Sequence, residues 1–294
     1  MNKKFLNVIT AGAIAGTACF SIAGCAGTGA AGTDSKATTA AAQSATASGV
    51  SAEDNDTLYQ VALLQSLTQG YYDGIITVGE LKKYGDTGIG TFEGVNGEMI
   101  VSDGVVYQAL SDGTINKPAD DEKIPFSNVT FFEEDGQVKL SNIGSMQELQ
   151  ETLNKTVEAN GKNMFYMVKI KGNFSHLKVR SEYKQEKPYR MLDEALAADQ
   201  VELDLNDVNG TMIGLYCPDY MQGLNSVGWH FHFITEDLTK GGHVLEVQIK
   251  DAVASYDVTD GFKMCLSDNT DFQKMDLSKN VDEAIKRAET ATKE

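Results

Sequence analysis

Positive charge is scarce in this chain: 25 lysines and arginines stand against 42 aspartates and glutamates, for a formal charge of −17. A surface of that sign repels phosphate backbones, which argues against nucleic acid as a partner. Cysteine is scarce too, with four in 294 residues. Cys19 and Cys25 fall at the amino terminus, and the two that remain, Cys217 and Cys265, are too far apart in sequence to establish a bridge and are expected as buried thiols. Apart from residues 5–22, the chain has no run that reads as a membrane span, and that one is short and diluted by Gly, Ala and Thr behind Lys3 and Lys4. It has the form of a secretory signal. Histidine is as rare as cysteine, yet three of the four histidines fall within twenty residues.

What is present begins with Ile22-Ala-Gly-Cys25, which resembles the lipobox of bacterial lipoproteins, where the cysteine becomes the acylated first residue of the mature chain. Residues 26–56 are almost entirely Ala, Gly, Ser, Thr, Gln and a few acids. Such a stretch offers too little apolar surface to offset chain entropy and is expected to be a flexible tether. The expected organisation is a signal over 1–24, a tether over 25–57 and a folded body over 58–294. That order places the body outside the cytoplasmic membrane, lipid-anchored through Cys25 or secreted, and touching the membrane only through the anchor.

The body is 41% hydrophobic by whole-chain composition, enough for a substantial core. Residues 58–66 have an ambiguous period; residues 77–84 have helical spacing with Thr77 as a candidate cap. Short alternating runs around 98–102, 105–110 and 128–132, separated by Asp-Gly and Asn-Gly turns, read as a strand meander. The clearest helix is 146–160, with Met146, Leu149, Leu153 and Val157 on one face. Residues 164–171 and 174–180 read as a hairpin, 192–199 as a short helix, 208–216 as a strand, and 244–256 as a further strand. No internal repeat is visible. Strands, a helix, then more strands predict an α+β protein with two mixed or antiparallel sheets and few helices in one compact unit. The charged end, 281–294, reads by composition as a solvated tail.

Within Gly228-Trp-His-Phe-His-Phe-Ile-Thr-Glu-Asp, residues two apart share a face of a strand, so His230 and His232 project together. Thr239-Lys-Gly-Gly then turns the chain and brings His243 back beside them. A His-x-His pair alone is more often structural. With the third histidine at hairpin range, the pattern points to a divalent metal with an open position, which is the arrangement of a catalytic zinc. His176, the fourth histidine, is expected at the surface without a role.

The same block, with Gly-Gly-His-Val-Leu after it, resembles the signature of the bacterial α-acetolactate decarboxylases. Tyr59-Gln-Val, Tyr72-Asp-Gly, Leu81 through Gly85-Asp, Gly90-Thr-Phe with Asn96-Gly-Glu-Met99, and Arg180-Ser with Gln185-Glu-Lys-Pro-Tyr189 follow the family's pattern in the same order. The resemblance runs from about residue 58 to the carboxyl end. It implies zinc on His230, His232 and His243, an active-site glutamate at Glu98, an arginine at Arg180, a pocket threonine at Thr91 and a homodimer. It also implies a tail glutamate at the metal pocket, with Glu289 the best match and Glu283 and Glu294 near enough to compete. Thr87, Ala62 and Cys217 depart from the family's usual residues.

The implied reaction turns 2-acetolactate (2-hydroxy-2-methyl-3-oxobutanoate) into acetoin and carbon dioxide. The substrate's ketone and hydroxyl oxygens suit chelation of one cation, and a Lewis acid there holds the enediolate left after carbon dioxide departs. A carboxylic acid must then protonate the carbanion, with Glu98 and Glu289 as candidates. Two other readings compete: a cupin-like metal oxygenase or isomerase, and a metal- or solute-binding lipoprotein without catalysis. Cupins usually place a glutamate a few residues after the histidine pair and a third histidine further on; here Glu236 lies in the turn and His243 comes early.

Overall fold

Alternating apolar residues and turn glycines make strands the dominant element of the body, and the computed structural model describes residues 55–289. The expected signal, nearly all of the tether with Cys25, and Glu294 lie outside the described residues. Among the described residues no helix is long and apolar enough to cross a membrane.

The chain runs through β1 (Thr57–Val61), α1 (Leu64–Thr68), β2 (Ile76–Thr77), α2 (Val78–Leu81), β3 (Thr87–Thr91), β4 (Glu98–Ser102) and β5 (Val105–Ala109). It continues through β6 (Ile115–Asn116), β7 (Lys123–Ile124), β8 (Phe126–Thr130), β9 (Gly136–Ile143) and α3 (Met146–Asn160). The second half holds β10 (Phe165–Glu182), α4 (Leu192–Asp199), β11 (Gln200–Cys217), β12 (Gly228–Thr235), β13 (Gly241–Thr259), β14 (Gly261–Cys265), α5 (Thr270–Gln273) and α6 (Asp282–Glu289). The ambiguous period over 58–66 resolves into both elements, a strand followed by a short helix. Thr77 caps α2 as expected: its hydroxyl accepts from the Glu80 amide at 3.2 Å, while the Glu80 carboxylate accepts from the Thr77 amide at 2.9 Å.

One sheet has the order β14-β1-β8-β3-β4-β5-β6, with β1 and β14 parallel. The other, β10-β11-β12-β13-β9, is antiparallel, and β10 pairs with β13 as well as β11, so four strands close on themselves. β2 and β7 form a small separate ribbon. The two large sheets pack through Leu58, Ile89 and Ile100 of the first and Met167, Ile213 and Leu215 of the second, all buried. On the far side of the second sheet lies α3, with Leu149, Leu153 and Val157 buried as its period predicts.

The expected hairpin over 164–180 is not formed: β10 is one strand of 18 residues. Gly172-Asn173 has a turn-like composition, but it stays extended because both edges are paired, Gly172 opposite Gly210 of β11 and Ala252 of β13. A Cβ at Gly172 would lie 2.3 Å from the Asp251 carbonyl, so the glycine serves close strand approach. The local irregularity is confined to register shifts against β13 on either side of Phe174 and one further on, between Lys178 and Val179.

The tail also departs from its composition. α6 buries Ala284 and Ala288, and it joins a cluster with Leu64 and Leu67 of α1 and Leu192 and Leu196 of α4. Arg287 Nη2 and Nε reach Asp193 Oδ2 at 2.7 and 3.1 Å, and Gln65 Nε2 donates to the Leu277 and Lys279 carbonyls at 2.7 Å each. Cys217 and Cys265 are both free; Cys217 is buried as expected, whereas Cys265, closing edge strand β14, is only half-buried. His176 is half-buried, with Nδ1 3.1 Å from Asn206 Oδ1, and it stands apart from the other histidines.

Candidate metal centre and active site

The β12–β13 turn is held by Asp237, whose Oδ1 accepts from the Thr235 hydroxyl at 2.7 Å and the Thr239 amide at 3.1 Å. That turn sets His232 directly opposite His243, and the pleat puts His230 on the same face. The expected convergence of the three histidines is therefore present, and one nitrogen from each lies within 4.8 Å of the others. His230 Nε2 is 3.1 Å from His232 Nε2 and 3.0 Å from His243 Nδ1. These spacings are close to the roughly 3.3 Å that ~2.0–2.1 Å bonds to one tetrahedral ion impose on their nitrogens.

The remaining ring nitrogens decide the tautomers. His232 Nδ1 donates to the Met99 carbonyl at 2.7 Å, His243 Nε2 lies 3.3 Å from the Glu289 carbonyl, and His230 Nδ1 lies 3.3 Å from Glu289 Oε2. Each outer nitrogen thus has an acceptor, leaving an inward lone pair on each ring, which is how metal-binding imidazoles are oriented. Burial, reinforced by the Arg180 charge, pushes His230 down to about 3, and burial holds His232 and His243 well below the usual histidine range. Three convergent nitrogens held neutral, two on buried histidines and one on the half-buried His230, fit a divalent cation, and the residues present can hold one.

Carboxyl groups surround this centre. Glu98 opens β4, buried, with Oε2 3.4 Å from His232 Nε2. The turn before it needs glycine: Gly97 has φ +79°, and a Cβ there would also lie 2.4 Å from the Ala109 carbonyl. Thr91, paired with Glu98 across β3–β4, donates its hydroxyl proton to the Gly97 carbonyl at 2.8 Å, so it fixes this turn and faces the pocket as an acceptor. Burial, followed by the charge of Glu182, pushes Glu98 well above the usual carboxylate range. Burial pushes Glu289 up to about 7 against the opposing pull of Arg180. Arg180 is buried on β10 opposite His243, with Nη1 3.5 Å from Gln200 Oε1 and no partner for Nε.

Of the two tail glutamates among the described residues, Glu289 lies at the histidines and Glu283 is on the exposed face of α6; Glu294 lies outside the described residues. One residue escaped the sequence reading: Glu182, two positions after Arg180 on β10 and buried in the same wall. The available signal was that spacing, which puts both side chains on one face once the strand is known to continue.

Two cavities meet at this centre. A small one of about 40 Å³ is bounded by Thr91, Glu98, Arg180, Glu182, Glu289 and the three histidines. A larger, more open one of about 590 Å³ reaches His230, His243 and Glu289 from the side of Asn154, Tyr216 and Trp229. Trp229 Nε1 donates to Asn154 Oδ1 at 2.8 Å, tying β12 to α3 beside this opening.

Comparison with known proteins decides the family. The sequence profile described as alpha-acetolactate decarboxylase matches residues 58–279. The chain belongs to the alpha-acetolactate decarboxylase family. As a member it is a carboxy-lyase. It is 39% identical to the alpha-acetolactate decarboxylase of Methanosarcina mazei over 82% of each chain, and 38% identical to that of Methylococcus capsulatus over 81% of this chain and 90% of the other. The crystal structure of alpha-acetolactate decarboxylase from Bacillus subtilis strain 168 superposes with a TM-score of 0.77 at 32% identity, covering 80% of this chain and 100% of that one. The profile match ends before α6, so within this decarboxylase Glu289 is placed by its own contacts with His230 and His243.

Proposed function

We propose that this protein decarboxylates 2-acetolactate to acetoin and carbon dioxide with a zinc ion held by His230, His232 and His243. The observation that carries this reading is the set of three inward lone pairs, each fixed by an acceptor on the opposite nitrogen, beside two buried carboxyl groups and one arginine. When bound, the zinc ion supplies a Lewis acid at the substrate oxygens where negative charge develops.

The remaining chemistry belongs to side chains. Burial raises Glu98 and Glu289 above the usual carboxylate range, which suits each to deliver a proton to the carbanion left when carbon dioxide departs. They flank the histidines from different elements, Glu98 at His232 and Glu289 at His230. Arg180 orients the substrate and stabilises the developing enediolate. A tight pair with the departing carboxylate alone would hold ground state and transition state equally and so would not speed the chemical step. The larger cavity gives access to the centre, and the smaller one keeps the acids and Arg180 out of bulk water.

Purified protein incubated with racemic acetolactate is expected to release carbon dioxide and acetoin in equal amounts well above the uncatalysed rate. A protein that binds metal yet releases neither product fits the non-catalytic lipoprotein reading and overturns this one.

A further inference from the structure

Arg180 and Glu182 point from one face of β10 into the small cavity, and both are about 95% buried. Between them the hydroxyl of Ser181, on the opposite face, donates to the Ala109 carbonyl at 2.7 Å and fixes this end of the strand against β5. The two charged side chains nevertheless leave polar atoms without partners: Arg180 Nε, a donor, and Glu182 Oε2, an acceptor. Buried polar groups are nearly always hydrogen-bonded, so a donor and an acceptor left open in the wall of one cavity can be completed by a ligand there. The ligand that completes both offers a hydroxyl proton next to an oxygen acceptor, as a 2-hydroxy acid does.

We propose that Glu182 is a substrate-anchoring residue whose Oε2 accepts the hydrogen bond of the substrate's 2-hydroxyl group, while Arg180 Nε donates to a neighbouring substrate oxygen. The identity of the substrate rests on the function proposed above; the anchoring of a hydroxyl group does not need the decarboxylation to occur. Because an unmet buried acceptor penalises any ligand without a hydroxyl, Glu182 makes the site select 2-hydroxy acids over acids that lack the group. Glu98 stands beside Glu182 in the same wall, shares a side-chain hydrogen bond with it and also faces His232, so the acceptor left for a ligand is Glu182 Oε2.

The test is calorimetric binding of two unreactive acids, 2-hydroxyisobutyrate and isobutyrate, to the purified zinc-loaded protein. Wild type is expected to prefer the hydroxy acid by about tenfold or more. Glu182→Leu, and Glu182→Met should the branched side chain not fold in this wall, should lose about that factor for 2-hydroxyisobutyrate only, with zinc content and isobutyrate affinity unchanged. Glu182→Gln retains an acceptor and should keep most of the preference. Equal weakening for both acids, or a hydroxyl preference undiminished in the Leu and Met variants, overturns the assignment. A Glu182-dependent hydroxyl preference in a protein that releases no carbon dioxide from acetolactate sinks the proposed function and leaves the anchoring role standing. Decarboxylation with no Glu182-dependent preference does the reverse.

Discussion

Replacing His232 with alanine should remove bound metal and bring carbon dioxide release down to the uncatalysed rate. His232 is 1% exposed, paired across the sheet with His243, and held by the Met99 carbonyl at 2.7 Å. Its loss leaves two imidazoles, and two neutral nitrogens do not hold a labile divalent ion as three do. The fold should survive. The Met99 carbonyl loses its donor at a cost of roughly 1–3 kcal/mol, which lowers the melting temperature without unfolding two sheets that share an extensive apolar core. Metal analysis and melting of the purified variant check both parts, and full metal occupancy would remove the three-histidine site from the account.

The second large effect is expected from the tail. Deleting residues 281–294 should lower turnover by at least the ~10²-fold typical of losing a general acid or base. The deletion also strips Ile285 and Ala288 from the cluster with Leu64, Leu67, Leu192 and Leu196, so some stability goes with it. Glu289→Gln separates the two consequences. An amide oxygen still accepts from His230 Nδ1, so metal should be retained and the melting point nearly unchanged, while the proton is gone and most of the rate with it. Glu283→Gln, on the exposed face, should behave as wild type. Glu294→Gln belongs in the same comparison, and near-normal rates in all three variants would take the tail out of the mechanism.

The parts of this site that were legible in the sequence are those whose geometry is local. His230 and His232 are related by the pleat alone, and a turn before His243 was expected at Thr239-Lys-Gly-Gly; the structure places it earlier, over 236–240, with Gly241 and Gly242 already in β13, and pairs His232 with His243. The α3 stripe of Leu149, Leu153 and Val157 was equally plain, because a period of 3.6 needs no knowledge of the partner surface. Gly172-Asn173 misled for the opposite reason: the dipeptide favours a turn, and only β11 and β13 on either side, far away in sequence, keep it extended. Glu182 was lost with that hairpin, since its shared face with Arg180 follows from β10 running unbroken to residue 182. The tail looked disposable because its few apolar positions are scattered among charges; Ile285 and Ala288 become informative once α1 and α4 supply the surface they fit. Glu98, Arg180 and Glu289 were named by resemblance to the family, and no spacing in the sequence would have gathered three residues from β4, β10 and α6.

The central claim, that acetolactate is decarboxylated at a metal held by His230, His232 and His243, is tested most directly by measuring carbon dioxide release while the metal is removed and returned. The purified protein should carry one divalent ion per chain, lose carbon dioxide release in step with that ion under a chelator, and regain it when one equivalent of zinc is added. Metal-free protein that still decarboxylates acetolactate at the original rate would contradict the account.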